Sequence, residues 1–344
     1  ILMAFFSAFF EITLLGFLLI LIKVFMDPTY YQGNFFFKFI LEIFNIKSNK
    51  ELVIYLSSFF ILTSLLAGIL RLYYLKIVAQ YVYYFGKNIT GMCYQRIIYQ
   101  DYKSLFNNNV NESLSIFQKM PIVVNSFFNT LIMFYNLITF ILIFGILSYI
   151  NFKITLMASI FFVSIYLIII FIFKRRIFNN ATVIANEQSI NVKIVRETFN
   201  GFRDILINNY QNFYNNMFLK SYSKLMAGTE DNRFFYSAPK PLIDSFLLAS
   251  IGIIIGLNAN SYSTLEKLLP TIAVMAIASQ RILPILNQLY SGHMSNEDAK
   301  PHTNFIRNFL KRTIIQSDRK KIKPLKFKNK ISIKGVSFSY FLNK

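Results

Sequence analysis

Residues 126–174 read SFFNTLIMFYNLITFILIFGILSYINFKITLMASIFFVSIYLIIIFIFK, and their only charged residues are Lys153 and the closing Lys174. A hydrocarbon core of ~30 Å takes roughly 20 apolar residues at 1.5 Å each. The stretch therefore holds two spans, 126–150 and 154–174, separated by little more than Asn151-Phe152-Lys153. So short a connection makes them an antiparallel hairpin with both free ends on one side. Further apolar stretches of spanning length lie near 1–25, 52–75, 242–262 and 265–290. The expectation is an all-α membrane protein with six transmembrane helices.

Composition agrees. The 344 residues are 55% hydrophobic and 15% charged, with mean hydropathy +0.45, whereas a soluble domain carries about 25% charged residues. The single cysteine, Cys93, excludes an internal disulfide framework and a cysteine metal cluster, and reads as a small apolar helix residue. No basic segment with a small-residue cleavage site precedes Ile1. The chain starts inside an apolar run and reads as an internal fragment.

Spans five and six meet across 258–263, on the same side as the 151–153 turn, while the connections on the other side, 76–125 and 175–241, are long. Those long segments, with Lys174 at the edge of the second, hold Lys76, Lys87, Arg96, Lys103 and Lys119, then Arg175, Arg176, Lys193, Arg196, Arg203, Lys220, Lys224 and Arg233. The positive-inside rule makes them, and the basic tail, cytoplasmic. The net charge of +20 is then this signature plus a tail lying near anionic lipid heads. No basic helix or aromatic platform stands apart from the spans, which sets a nucleic-acid partner aside.

Leu72 to Arg96 and Phe173 to Phe199 carry apolar residues at helical spacing without proline, so the spans are expected to continue as helices into the cytoplasm. Each long loop becomes a helical hairpin projecting about 40 Å, more than a channel or small carrier requires. The tips fall at 101–109 and 197–204, where aromatic residues and charges combine as in a short helix docking into another domain. Residues 1–312 form the membrane module, 313–330 a basic linker, and 331–344 the opening strand of a second domain. In that strand Ile331 and Ile333, then Val336, Phe338 and Tyr340, alternate, and Lys334-Gly335 breaks the phase.

Six spans, two long cytoplasmic hairpins, a basic linker and a VSFSY strand together resemble an ABC exporter half-transporter that stops at the start of its nucleotide-binding domain. The resemblance implies that Tyr340 is the residue stacking on adenine. It makes DYKSLFNNN, with Asp101, Tyr102, Lys103 and Phe106, the first coupling helix. ETFNGFRDIL, with Glu197, Phe199, Gly201 and Arg203, becomes the second. INFKITLMASIFFVS (150–164), SAPKPLID (237–244) and ASQRILPILNQL (278–289) are most similar to bacterial lipid-linked oligosaccharide flippases. An extended first external loop, 27–50, fits that likeness. ATP and Mg2+ are the implied cofactors, held by the nucleotide-binding domain. No Walker A pattern occurs in the 344 residues, so none of them is expected to be catalytic and the fragment alone is not expected to hydrolyse ATP. The implied setting is the bacterial inner membrane, and the implied partner a second, identical half-transporter.

Ionisable residues inside spans mark cavities or partners because burying them in lipid is costly. Arg281 leads: its guanidinium suits a pyrophosphate, or else pairs with Asp244 or Glu11. Arg71 belongs to the same basic cavity or snorkels to the interface, and Lys240, between Pro239 and Pro241, stands at the approach to span five. Glu11 and Asp244 are the acidic partners. Gly252 and Gly256 permit close helix approach. His293 and His302 read as solvated rather than metal-binding. The expected activity is ATP-driven flipping of a lipid-linked oligosaccharide or related glycolipid. An ABC exporter of a peptide, lipid or drug, and a six-span channel or scaffold without ATPase, remain alternatives.

Overall fold

The structure is a computed structural model that describes residues 2–26, 49–99, 110–257, 262–312, 327 and 330–337. Among these the regular structure is entirely helical: α1 (Leu2–Met26), α2 (Asn49–Ile98), α3 (Val110–Asn200), α4 (Phe202–Ile207), α5 (Gln211–Ser237), α6 (Pro239–Leu257) and α7 (Tyr262–Leu310).

The 91 residues of α3 would reach about 137 Å if straight. Yet Lys119 Nζ donates a hydrogen bond of 2.7 Å to Ser189 Oγ, and Ile143 and Leu147 pack in one core with Phe162 and Tyr166. The helix doubles back between Leu147 and Phe162, so the expected hairpin is present. The backbone stays helical through Asn151-Phe152-Lys153 rather than opening into a loop. No glycine or proline lies between Ile146 and Ile160 to break it.

The two legs of α3, 110–147 and 162–200, organise everything else. Along the first leg α7 runs antiparallel, pairing Asn136 with Gln288, Asn129 with Ser295 and Ser126 with Asn296. On the second leg α5 runs antiparallel, pairing Phe173 with Phe235 and Asn180 with Asn232. The first leg also carries α2, through Tyr74 on Tyr135, Phe85 on Phe127 and Tyr94 on Phe117. Against α2 lies α1, with Phe17 on Phe59. Helix α5 passes into α6 almost without interruption, since Ala238 keeps helical angles and its N–H bonds to Phe234 O. Pro239 then opens α6, where its missing N–H costs nothing. The end where α3 doubles back is the near end, and the end carrying α4 is the far end.

These helices greatly exceed a bilayer. The 50 residues of α2 cover about 75 Å against ~30 Å of hydrocarbon. By length and composition, Glu51–Ile98 of α2 and Ser113–Ser148 of the first leg are able to cross a membrane. Ile61, Leu62, Leu65 and Ile69 on α2, and Leu167, Ile168 and Phe171 on the second leg, face outward, an arrangement suited to lipid and unsuited to water.

The opening strand expected over 331–344 is not seen at residues 330–337, where Ile331, Ile333 and Val336 are exposed, and its remaining residues lie outside those described. A strand needs a neighbour for its backbone groups, and the described residues offer none. Gly335, at φ +60°, does break the phase where the alternation breaks. One expectation needs correction: His302, read as solvated, is fully buried, because α7 continues to Leu310 as a packed helix whose inner face it occupies.

Candidate functional site

The ionisable residues expected inside the spans are partly brought together. The Glu11 carboxylate of α1 receives Tyr135 Oη from the first leg of α3 at 2.7 Å, and Arg71 Nη1 from α2 lies 3.3 Å from its other oxygen. Ser7 Oγ stands 3.4 Å from Tyr135 Oη. Tyr74 stacks on Tyr135 at 4.7 Å and donates to Leu131 O at 3.1 Å. Three helices thus meet on one carboxylate. The Arg71 side chain is 45% exposed, so one side of its guanidinium is held and the other faces outward. Such a group can bind an anion without leaving its helix.

Arg281 lies within α7, but its side chain is outside the described residues. On α6, Lys240 is exposed in the first turn and Asp244 is half-buried one turn later; neither joins the Glu11–Arg71 cluster. Around Gly252 and Gly256 a Cβ would meet nothing within 4 Å, so no helix among the described residues approaches them.

At the far end, the second expected tip is a distinct piece of architecture. Helix α3 ends at Asn200, Gly201 makes the break, and α4 runs for six residues before α5 returns. Tyr210 N–H bonds to Ile205 O and Asn209 takes φ +56°, which turns the chain back. Ile205 points inward, while Phe199 (74% exposed), Phe202, Leu206, Ile207 and Tyr210 face outward. Arg203 is exposed in the same helix, and Glu197 pairs with Lys193 at 3.8 Å just before it. The tip is a helical elbow with an apolar, partly charged surface. The first expected tip, with Asp101, Tyr102, Lys103 and Phe106, and the expected adenine-stacking Tyr340 lie outside the described residues.

A set of buried polar residues in the far half was not legible as a site in the sequence. Asn232 of α5 donates to Asp298 of α7 at 2.8 Å and receives Asn180 of α3 at 3.1 Å. Glu187 accepts from Ser221 at 2.5 Å and lies 3.7 Å from Lys224. Glu297 binds Lys300 at 2.6 Å and Lys174 at 3.3 Å, with His293 Nε2 at 3.7 Å. Burial opposes ionisation of Glu297, but the Lys300 and Lys174 ammoniums outweigh it and hold the carboxyl below its ordinary range. Burial raises Asp298 against its Asn232 hydrogen bond and the neighbouring Tyr236 phenol. Burial, then the nearby Lys119 ammonium, push His302 down to about 4. Repeated Asn and Ser on the mating faces of α3 and α7 were the available signal.

Compared with protein-family models and with curated proteins, the chain matches none.

Proposed function

We propose that this chain is the transmembrane part of an ATP-driven exporter of the ABC type, flipping a lipid-linked oligosaccharide or related glycolipid across the bacterial inner membrane as a homodimer. The observation that carries this reading is the far-end elbow. From Lys174, where the fourth apolar stretch closes, to Asn200 the helix continues for 26 residues, about 39 Å. It ends in a short cross-helix with an outward apolar face. A pore has no use for such a lever, whereas a machine driven from outside the bilayer does. The six spans and the cytoplasmic side of the long hairpins belong to the same proposal, as does a strand at Ile331 that forms once a second domain supplies its neighbour.

In this reading α4 and the 101–109 tip receive the motion of nucleotide-binding domains. The 344 residues carry no Walker A pattern, so ATP and Mg2+ would be held outside them, with Tyr340 against the adenine. The long helices transmit displacement at the elbow to the spans as rigid bodies. Arg281, Arg71 and Lys240 supply the positive charge that meets a pyrophosphate, while the polyprenyl tail stays in lipid. Glu11 holds Arg71 from behind.

The test is to read the frame beyond Lys344, express the complete product in proteoliposomes and add lipid-linked oligosaccharide. Stimulated ATP hydrolysis that disappears in Arg281→Ala is the expected result. An ATPase indifferent to that lipid discards the substrate and favours a peptide, lipid or drug exporter. A frame without a Walker A sequence discards the transporter and favours a channel or scaffold.

A further inference from the structure

On the second leg of α3 the outward surface changes character within one turn. Leu167, Ile168, Phe171 and Ile172 are exposed and apolar; Lys174, Arg175 and Arg176 follow at once and are exposed too. Opposite Lys174, α7 presents His293, Glu297 and Lys300 on one stripe. The buried Glu297 carboxylate is held by Lys300 Nζ at 2.6 Å from both oxygens, so Lys174, at 3.3 Å from one of them, is the outer and weaker partner. About half of each lysine side chain is exposed.

Lys174 and Lys300 both hold Glu297, Arg175 and Arg176 follow Lys174 as exposed cations at the next positions of the helix, and Asp298 turns away to Asn232 on α5. His293 adds no negative charge, and burial lowers its proton affinity despite Glu297. The patch lies where the apolar stretches ending at Lys174 and Tyr290 meet the polar part of the chain, which is headgroup depth if those stretches span the bilayer.

We propose that Lys174, Arg175, Arg176 and Lys300 form a binding site for the phosphate of an anionic phospholipid in the inner leaflet, displacing Glu297 from Lys174. This rests on the membrane placement proposed above. The lipid form of the phosphate is favoured because the exposed Leu167, Ile168, Phe171 and Ile172 lie directly beyond the cations and offer acyl chains a surface; a free anion has no use for them.

The experiment places the full chain in nanodiscs of phosphatidylcholine with or without phosphatidylglycerol and measures lipid retention. Phosphatidylglycerol is expected to be retained preferentially, with retention falling roughly fivefold for each positive charge removed. Lys174→Gln combined with Arg175→Gln and Arg176→Gln should abolish the preference. Glu297→Gln should increase it, because the competing carboxylate is gone; loss of a merely structural ion pair does not produce that sign. An unchanged preference in the triple variant, a decrease in Glu297→Gln, or displacement by inorganic phosphate as readily as by the lipid overturns the site. A chain that enters the nanodiscs without preference overturns this inference alone. A chain that enters no nanodisc overturns the membrane reading, and the lipid site with it.

Discussion

The near half of the bundle and the far half are made from the same long helices but hold them in register differently. Toward the near end the core is Ile143, Tyr166, Ile243, Ile282, Leu286 and Tyr290, and large apolar side chains also cover the outside. Toward the far end the buried set includes Lys119, Glu187, Asn191, Asn232, Glu297 and His302. When both faces of a helix are apolar, burial in lipid does not choose which face packs inward, so shape and a few hydrogen bonds must choose. In water the choice is made by hydrophobic contrast, and buried polar partners then fix the register, because a mismatch strands them at about 1–3 kcal/mol each. Packing should therefore dominate substitutions in the near half and polar satisfaction those in the far half.

Tyr290 sharpens the first arm and carries the largest expected effect. It is 1% exposed, packs against Tyr166 at 5.8 Å and donates to Phe235 O at 2.7 Å. Tyr290→Ala should destabilise the detergent-solubilised protein by about 3–5 kcal/mol. Tyr290→Phe, which keeps the ring and loses the hydrogen bond, should cost only about 1 kcal/mol. Equal losses in the two variants, measured by denaturant titration, would mean that the near half is also held by its polar contacts and would erase the contrast.

The far-half arm has a pH signature. His302 is 0% exposed, both ring nitrogens lack a hydrogen-bond partner among the described residues, and burial with the nearby Lys119 holds its folded value at about 4, below the ordinary 6.5. The unfolded chain takes up a proton near 6.5 and the folded chain only near 4. The stability tied to neutral His302 is therefore complete above pH 6.5 and is lost as pH falls toward 4, by roughly 3 kcal/mol at most. Asp298, raised by burial, acts in the opposite sense, so the comparison is between wild type and His302→Gln. Melting temperatures between about pH 7.5 and 4.5 should fall more steeply in the wild type. Parallel curves would show that water reaches the ring and that the joint between α3 and α7 is not dry.

The fold was legible where local chemistry decides it. The 126–174 hairpin and the long helices through 72–96 and 173–199 follow from apolar run lengths and helical spacing without proline. The partners within the far half were not. Lys119 and Ser189 are 70 residues apart, and Asn129 and Ser295 are 166 apart. Periodicity shows that a helix has an inner face but not which distant residue completes a polar pair on it. His302 misled for the same reason: a histidine past the last span looks solvated unless the neighbouring legs are known to be long enough to cover it. Among the expected site residues, Arg71 and Glu11 are the pair that the fold joined, although the sequence had offered Glu11 to Arg281.

Glycine gives the smallest effect and the sharpest sign. At Gly292, a Cβ would fall 2.6 Å from Met133 Cγ and 3.0 Å from its sulfur, so α7 and the first leg of α3 touch there. Gly292→Ala should cost about 1–2 kcal/mol. At Gly252, inside α6, a Cβ meets nothing within 4 Å, and Gly252→Ala should add about 0.5–1 kcal/mol by helix propensity alone. The two variants should thus shift the melting temperature in opposite directions. Should Gly252→Ala instead destabilise the protein, and do so only at concentrations where it self-associates, the open face of α6 would be one that a second copy closes. The glycine pair Gly252 and Gly256 would then be a contact between chains, and the packing rule of the near half would extend across the dimer.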